Sequence, residues 1–165
     1  MSIDNHIFPS HFREFIIALN EHEVEYMLIG GFAMGAYGHM RGTNDLDIYV
    51  NATEENADRL IKASLDYGIP AKNLKKEMFL VPKMIGIGQP PLRIEVLKKL
   101  DTVDFEYAYQ RIKKTALDGM HINVVGLEDL RLLKLAAIKG RDQARDQEDL
   151  NFIEKLLAKL KKGKD

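Results

Sequence analysis

Asp45 and Asp47 stand two residues apart in the run Asp45-Leu46-Asp47-Ile48-Tyr49-Val50, where Leu46, Ile48 and Val50 alternate with Asp45, Asp47 and Tyr49. That two-residue period is the period of a strand, so both carboxylates leave the same face side by side. Two like charges that close repel unless a cation or hydrogen-bond donors sit between them. Hard oxygen ligands suit Mg²⁺, which also binds substrate phosphates. An isolated Asp-x-Asp is more often a solvated strand end, but the residues upstream change its meaning. Tyr26-Met27-Leu28-Ile29 is a short apolar run of strand length, Gly30-Gly31 follows, and Phe32 to Tyr37 reads as a short helix. Glycines at a strand-to-helix turn let backbone N–H groups approach an anion closely, and the helix start adds partial positive charge. A phosphate turn and a metal pair together are what holding a nucleoside triphosphate with magnesium requires.

A third carboxylate is needed where one acid must help deprotonate an attacking hydroxyl or bind a second ion. Glu95 is the best candidate. It lies in Pro90-Pro91-Leu92-Arg93-Ile94-Glu95-Val96-Leu97, whose alternation sets Arg93 and Glu95 opposite Leu92, Ile94 and Val96. If that strand lies beside the Asp45 to Val50 strand, Glu95 faces the two aspartates; beyond about 6 Å it shares no metal with them. The competing reading is an exposed Arg93/Glu95 face on an edge strand. Arg41 and Thr43 precede the acidic strand, where a fork donor and a hydroxyl bind phosphate or hold the loop. His39 nearby reads as a surface or capping residue.

Gly30-Gly31-x-Ala33, Arg41-x-Thr43-x-Asp45-Leu46-Asp47 and Pro91-x-Arg93-Ile94-Glu95-Val96-Leu97 resemble the motifs of the minimal nucleotidyltransferases of the DNA polymerase β superfamily. The nearest branch is that of small bacterial abortive-infection and toxin-antitoxin nucleotidyltransferases; small antibiotic nucleotidyltransferases share the layout. The resemblance spans roughly residues 24 to 150. It implies that Gly30 and Gly31 contact the triphosphate, that Asp45 and Asp47 bind Mg²⁺, and that Glu95 replaces the usual third aspartate. One extra methylene moves that carboxylate by roughly 1.5 Å, enough to cost about a hundredfold if it misplaces a reacting group. Glu95 therefore either works as the base with altered spacing or signals weakened catalysis. Gly-Gly replaces the Gly-Ser of many superfamily members, so one hydroxyl contact to phosphate is absent.

Leu127, Leu130, Leu133, Ala137 and Ile138 have the spacing of a buried helical stripe, with Glu128 and Asp129 near the helix start. Lys134 falls among these apolar positions. It either snorkels past the core or, as the resemblance implies, reaches a phosphate in the active site. The charge run from Arg141 to Asp149 reads first as a solvated helix entrance. The resembled family often carries an Arg and two acids three apart here, matched by Arg141, Asp146 and Asp149. Lys155 to Lys164 reads as a frayed, solvated tail.

These residues need a scaffold. A helix burying Phe12, Phe15, Ile16 and Leu19 leads to the first strand, the Gly-Gly helix, the acidic strand and a helix capped near Thr53. A short strand at Met84 to Ile87, the Glu95 strand and a helix from Phe105 to Ile112 follow. Asp118-Gly119 reads as a hairpin turn between Thr115 to Leu117 and His121 to Val125. The expected fold is α/β: a small mixed sheet with helices packed on one side, as in polymerase β-like nucleotidyltransferases, and a helical C-terminal end. The chain reads as one domain over residues 1–165, with a core over about 24–125 and a helical part over about 127–160.

At 165 residues the chain suits that single domain, and 45% apolar with 30% charged residues is ordinary globular composition. Absence of cysteine excludes a disulfide framework and thiolate chemistry. No apolar run is long enough for a membrane span and no signal peptide is evident, so a cytoplasmic protein with no membrane partner is expected. A net charge of −1 gives no global attraction to nucleic acid, although Lys72, Lys75, Lys76 and Lys83 form a local cluster beside which an RNA acceptor has room to lie. The expected activity is Mg²⁺-dependent transfer of a nucleoside monophosphate from a nucleoside triphosphate to an acceptor hydroxyl, releasing pyrophosphate. Two Mg²⁺ ions are expected, with Mn²⁺ as a substitute. The acceptor is RNA, a protein or a small molecule, and a cognate antitoxin is a further expected partner. The alternative is a catalytically weakened nucleotide-binding or partner-binding module of the same fold.

Overall fold

The computed structural model describes residues 7–89, 92–141 and 144–163, apart from the side chain of Arg141. Pro90, Pro91, Lys164 and the Arg141 side chain, which entered the motifs and the tail above, lie outside the described residues.

Helix α1 (Ser10–Glu21) buries Phe12, Phe15, Ile16, Ala18 and Leu19, and strand β1 (Tyr26–Ile29) is buried along its whole length. Helix α2 (Gly30–Ala36) follows without a linker, and β2 (Leu46–Val50) carries Asp47. Helix α3 (Glu54–Tyr67) starts where the Thr53 side chain accepts from the N–H of Asn56, with Glu54 and Glu55 favoured by the helix dipole. Its end is set by Gly68, whose φ of 119° is open to glycine. Two short 3-10 turns, Ala71–Asn73 and Lys76–Phe79, lead to β3 (Ile85–Ile87) and β4 (Ile94–Leu97). Helix α4 (Phe105–Tyr109), the hairpin β5 (Lys113–Leu117) and β6 (Met120–Val124), then α5 (Leu127–Arg141) and α6 (Ala144–Lys162) complete the chain. The hairpin turns at Asp118 (φ 51°) and Gly119 (φ 74°), the two left-handed positions of a type I′ turn. The Asp118 carboxylate also accepts the N–H groups of Ile7 and Phe8 at 2.8 Å each, which anchors the approach to α1.

The strands form one mixed sheet in the order β3-β4-β2-β1-β6-β5. Antiparallel pairing sets Asp47 opposite Ile29 of β1, and parallel pairing sets Asp47 opposite Glu95 of β4. The site acid thus sits between the strand that ends in the glycines and the strand that carries the third acid. Tyr49, on the same face as Asp47, packs edge-on against Phe105 of α4, with ring centres 5.2 Å apart, and its hydroxyl donates to the Val103 carbonyl. Leu46, Ile48 and Val50, on the opposite face, are fully buried.

Several sequence expectations need correction. Strand β2 begins at Leu46, whose N–H donates to the Arg93 carbonyl, so Asp45 lies just before the strand instead of within it. β4 is an internal strand covered by β3, and the edge-strand reading of Glu95 is overturned. The helix predicted to reach Ile112 stops at Tyr109, because Lys113 already pairs with Val124. The tail predicted to fray is helical through Lys162, with Lys159, Lys161 and Lys162 in the last turn, where a helix dipole favours cations.

Asn56 fixes the β1/β2 register. Its Oδ1 accepts the Glu25 N–H at 2.7 Å, and its Nδ2 donates to the carbonyls of Glu25 and Asn51, the residues flanking the paired strands. Asn56→Ala strands the Glu25 N–H and the Asn51 carbonyl, while the Glu25 carbonyl keeps the Asn51 N–H. The substitution is expected to lower unfolding free energy by about 3 kcal/mol, read from urea denaturation.

Candidate active site

Gly30 has φ +72°, and a methyl group added there would stand 2.3 Å from Asp47 Oδ2. A methyl on Gly31 would stand 2.7 Å from Thr43 Oγ1. The two glycines therefore admit the Asp47 carboxylate and the Thr43 side chain into contact with the β1–α2 turn. Ile29, which precedes α2, supplies no side-chain cap. Gly30 and Asp47 line a cleft of about 590 Å³ together with Lys134, Asp101, Thr102 and apolar residues of α5.

Asp47 and Glu95 are register partners on parallel neighbours and their carboxyl groups are hydrogen-bonded. Burial, the hydrogen bond that protonated Asp47 donates to Glu95, and the charges of Glu95 and Asp45 push the Asp47 carboxyl from 3.8 up to about 8, against the opposing pull of Lys134. Without a cation, the pair holds a proton at neutral pH. Asp45 acts on Asp47 through its charge, and no three His, Cys, Asp or Glu side chains among the described residues gather into a metal cage. The donor set nevertheless fits Mg²⁺, which is commonly held by one or two carboxylates with substrate phosphates and water filling the remaining positions. The extra methylene of Glu95 lets its carboxyl reach across the strand gap to Asp47.

Lys134 does not snorkel. Its Nζ lies 2.8 Å from Asp149 Oδ2 and 3.7 Å from Asp146 Oδ1, with the lysine side chain 7% exposed and that of Asp149 fully buried. The same Asp149 carboxylate takes a two-bond fork from Arg41, at 2.8 Å from both Nε and Nη2. His39 Nε2 stands 3.5 Å from Asp149 Oδ1, and its ring stacks on Phe152 with centres 4.8 Å apart. The reading of residues 141 to 149 as a solvated helix entrance is therefore overturned at Asp146 and Asp149, and His39 is not a free surface group. Of the two roles open to Arg41, the geometry displays the holding role: the arginine fastens the loop before Asp45 to α6. Asp149 is the residue that sequence reasoning underrated, and its only signal was the spacing with Arg141 and Asp146.

Two outcomes follow from this geometry. Folding raises the Asp47 pKa, so the folded state holds a proton that the unfolded state lacks between about pH 4 and 8. Stability of the cation-free protein must therefore fall as pH rises through that window. Asp47→Asn is expected to unfold at higher temperature than the parent in EDTA at pH 8, by roughly 2–4 °C per kcal/mol relieved, with a smaller difference near pH 5. Calorimetry over that pH series checks it. Asp149→Ala removes the carboxylate that Arg41 forks and leaves Lys134 only the longer 3.7 Å contact with Asp146, and it is expected to cost about 3–5 kcal/mol in denaturant unfolding.

Comparison with solved structures places this architecture. An antigenic nucleotidyltransferase-like protein from Paracoccidioides brasiliensis superposes with a TM-score of 0.56 at 16% identity, over 88% of this chain and 75% of that one. The antibiotic-resistance factor ANT(2″)-Ia gives 0.58 at 11% identity, over 90% and 83%. A candidate nucleotidyltransferase from Thermotoga maritima gives 0.53 at 16% identity, over 88% and 97%. No protein-family model and no curated protein matches the chain. No helix among the described residues is long and apolar enough to cross a membrane. The chain has the minimal nucleotidyltransferase fold.

Proposed function

We propose that the protein is a Mg²⁺-dependent nucleotidyltransferase that moves a nucleoside monophosphate from a nucleoside triphosphate to an acceptor hydroxyl. The observation that carries this reading is the hydrogen-bonded Asp47–Glu95 pair packed against Gly30, in a fold shared with nucleotidyltransferase-like proteins. Two acids forced together in a cleft disfavour their own ionisation, and a divalent cation relieves that cost.

Asp47 and Glu95 would hold Mg²⁺, with Asp45 adding charge at the mouth of the strand. The bound ion would neutralise charge on the triphosphate and on the departing pyrophosphate. Glu95 would take the proton of the attacking hydroxyl as the new O–P bond forms and the bond to pyrophosphate breaks. Gly30 and Gly31 would let the phosphates approach the backbone. Lys134 lowers the Asp47 pKa by its charge and lines the same cleft, so it would move its ion pair partly from Asp149 to a phosphate. Arg41 and Thr43 would keep the loop before Asp45 in place, with phosphate contact as their further role. Catalysis would rest on positioning and charge neutralisation. Residence in the cytoplasm and regulation by an antitoxin belong to the same proposal, carried by the motif resemblance.

The test supplies the four α-labelled nucleoside triphosphates with Mg²⁺ to separate pools of RNA, protein and small molecules. Label should enter one pool with the parent and fall by at least about a thousandfold with Asp47→Asn. Glu95→Gln should retain nucleotide binding and lose transfer. Binding of Mg²⁺-nucleotide by the parent without transfer to any pool would mark a binding module instead.

A further inference from the structure

Arg93 shares its strand face with Glu95, two residues away, and its side chain leans outward over β3. A methyl group on Gly86 would come within 2.3 Å of the Arg93 Nε and closer still to Nη2, so this glycine provides the bed on which the guanidinium lies. Gly86 is the register partner of Glu95, which is the register partner of Asp47. Across the sheet the order is therefore Gly30 at the end of β1, Asp47 on β2, Glu95 on β4 and the Arg93 guanidinium above β3. The Arg93 Nε is buried and meets no hydrogen-bond partner among the described residues. A buried donor left unmade is unfavourable, so an acceptor that reaches this guanidinium gains from it.

We propose that Arg93 binds a phosphate of the acceptor, and that the acceptor is the 3′ end of a nucleic-acid strand. This rests on the nucleotidyl-transfer reading above. In an in-line displacement the attacking and leaving oxygens lie on opposite sides of the reacting phosphorus. With the triphosphate at Gly30 and Lys134, pyrophosphate leaves on the β1 side and the acceptor enters on the β3 side, where Arg93 stands. A planar guanidinium matches a phosphate oxygen pair and repels a polycationic small molecule. A strand with a terminal hydroxyl carries a phosphodiester one sugar away from it, which meets both demands at once. The exposed Lys72, Lys75 and Lys83, in the segment leading into β3, offer further backbone phosphates a place, while Lys76 is held by Asp58 at 3.2 Å.

The test uses the full chain with two probes: a short 5′-labelled single-stranded RNA with a free 3′-hydroxyl, followed by anisotropy over a salt series, and Mg²⁺ with the α,β-methylene analogues of the four nucleoside triphosphates, followed by calorimetry. Arg93→Ala should weaken RNA binding about tenfold and reduce its salt slope by about one, while analogue affinity stays within twofold. Arg93→Lys should recover part of the loss. Unchanged RNA binding in Arg93→Ala, or no RNA binding by the parent, overturns the proposal. So does a selective loss of analogue affinity, which would make Arg93 a donor-phosphate residue, or an equal loss of both probes. Failure of the parent to bind any analogue speaks against nucleotidyl transfer itself, and the RNA measurement still judges Arg93.

Discussion

The close approach of two carboxylates on neighbouring strands is the constraint around which the rest of this structure is arranged. Asp47 and Glu95 are placed opposite one another by parallel pairing of β2 and β4. Gly30 lies so close to Asp47 that any side chain there would collide with the carboxylate. Such an arrangement is unfavourable in isolation. It holds a proton near neutral pH, a cost that positive charge brought close to the pair would relieve.

The supply of fixed positive charge is organised from the opposite side of the cleft. Asp149 is a single buried anion that gathers Arg41, Lys134 and, more loosely, His39. Through it, helix α6 is joined to α5 and to the loop that precedes Asp45. Buried ion pairs contribute little to net stability when compared with apolar packing, yet removal of one partner is costly. Their value here is positional: the loop with Thr43 and Asp45, the lysine in the cleft and the C-terminal helices are held to one another by the same carboxylate.

Local pattern made much of this legible. Period-two alternation located β2 and β4, the Gly-Gly turn located the end of β1, and Asp118-Gly119 located the hairpin with its type I′ geometry. The placement of Asp47 beside Glu95 was readable because acids on otherwise apolar strands are conspicuous. Asp146 and Asp149 were not readable in that way. They lie in a run of charges, and whether such a run is solvated or buried depends on partners over a hundred residues distant, such as Arg41. His39 shares the difficulty, since its stacking on Phe152 exists only once remote segments have met, and the bed that Gly86 gives Arg93 exists only once β3 has paired with β4. The internal place of β4 likewise depends on β3, a strand of three residues with little periodicity to display.

If the Asp47–Glu95 pair is a cation site, the proton that it carries must leave as the ion binds. Counting protons tests it most directly. On titration of the protein with Mg²⁺ and a non-hydrolysable nucleoside triphosphate in weakly buffered solution near pH 6.5, corrected for the nucleotide alone, release of close to one proton per protein saturated is expected, and none from Asp47→Asn. Mg²⁺-nucleotide binding with no proton release from the parent would contradict it.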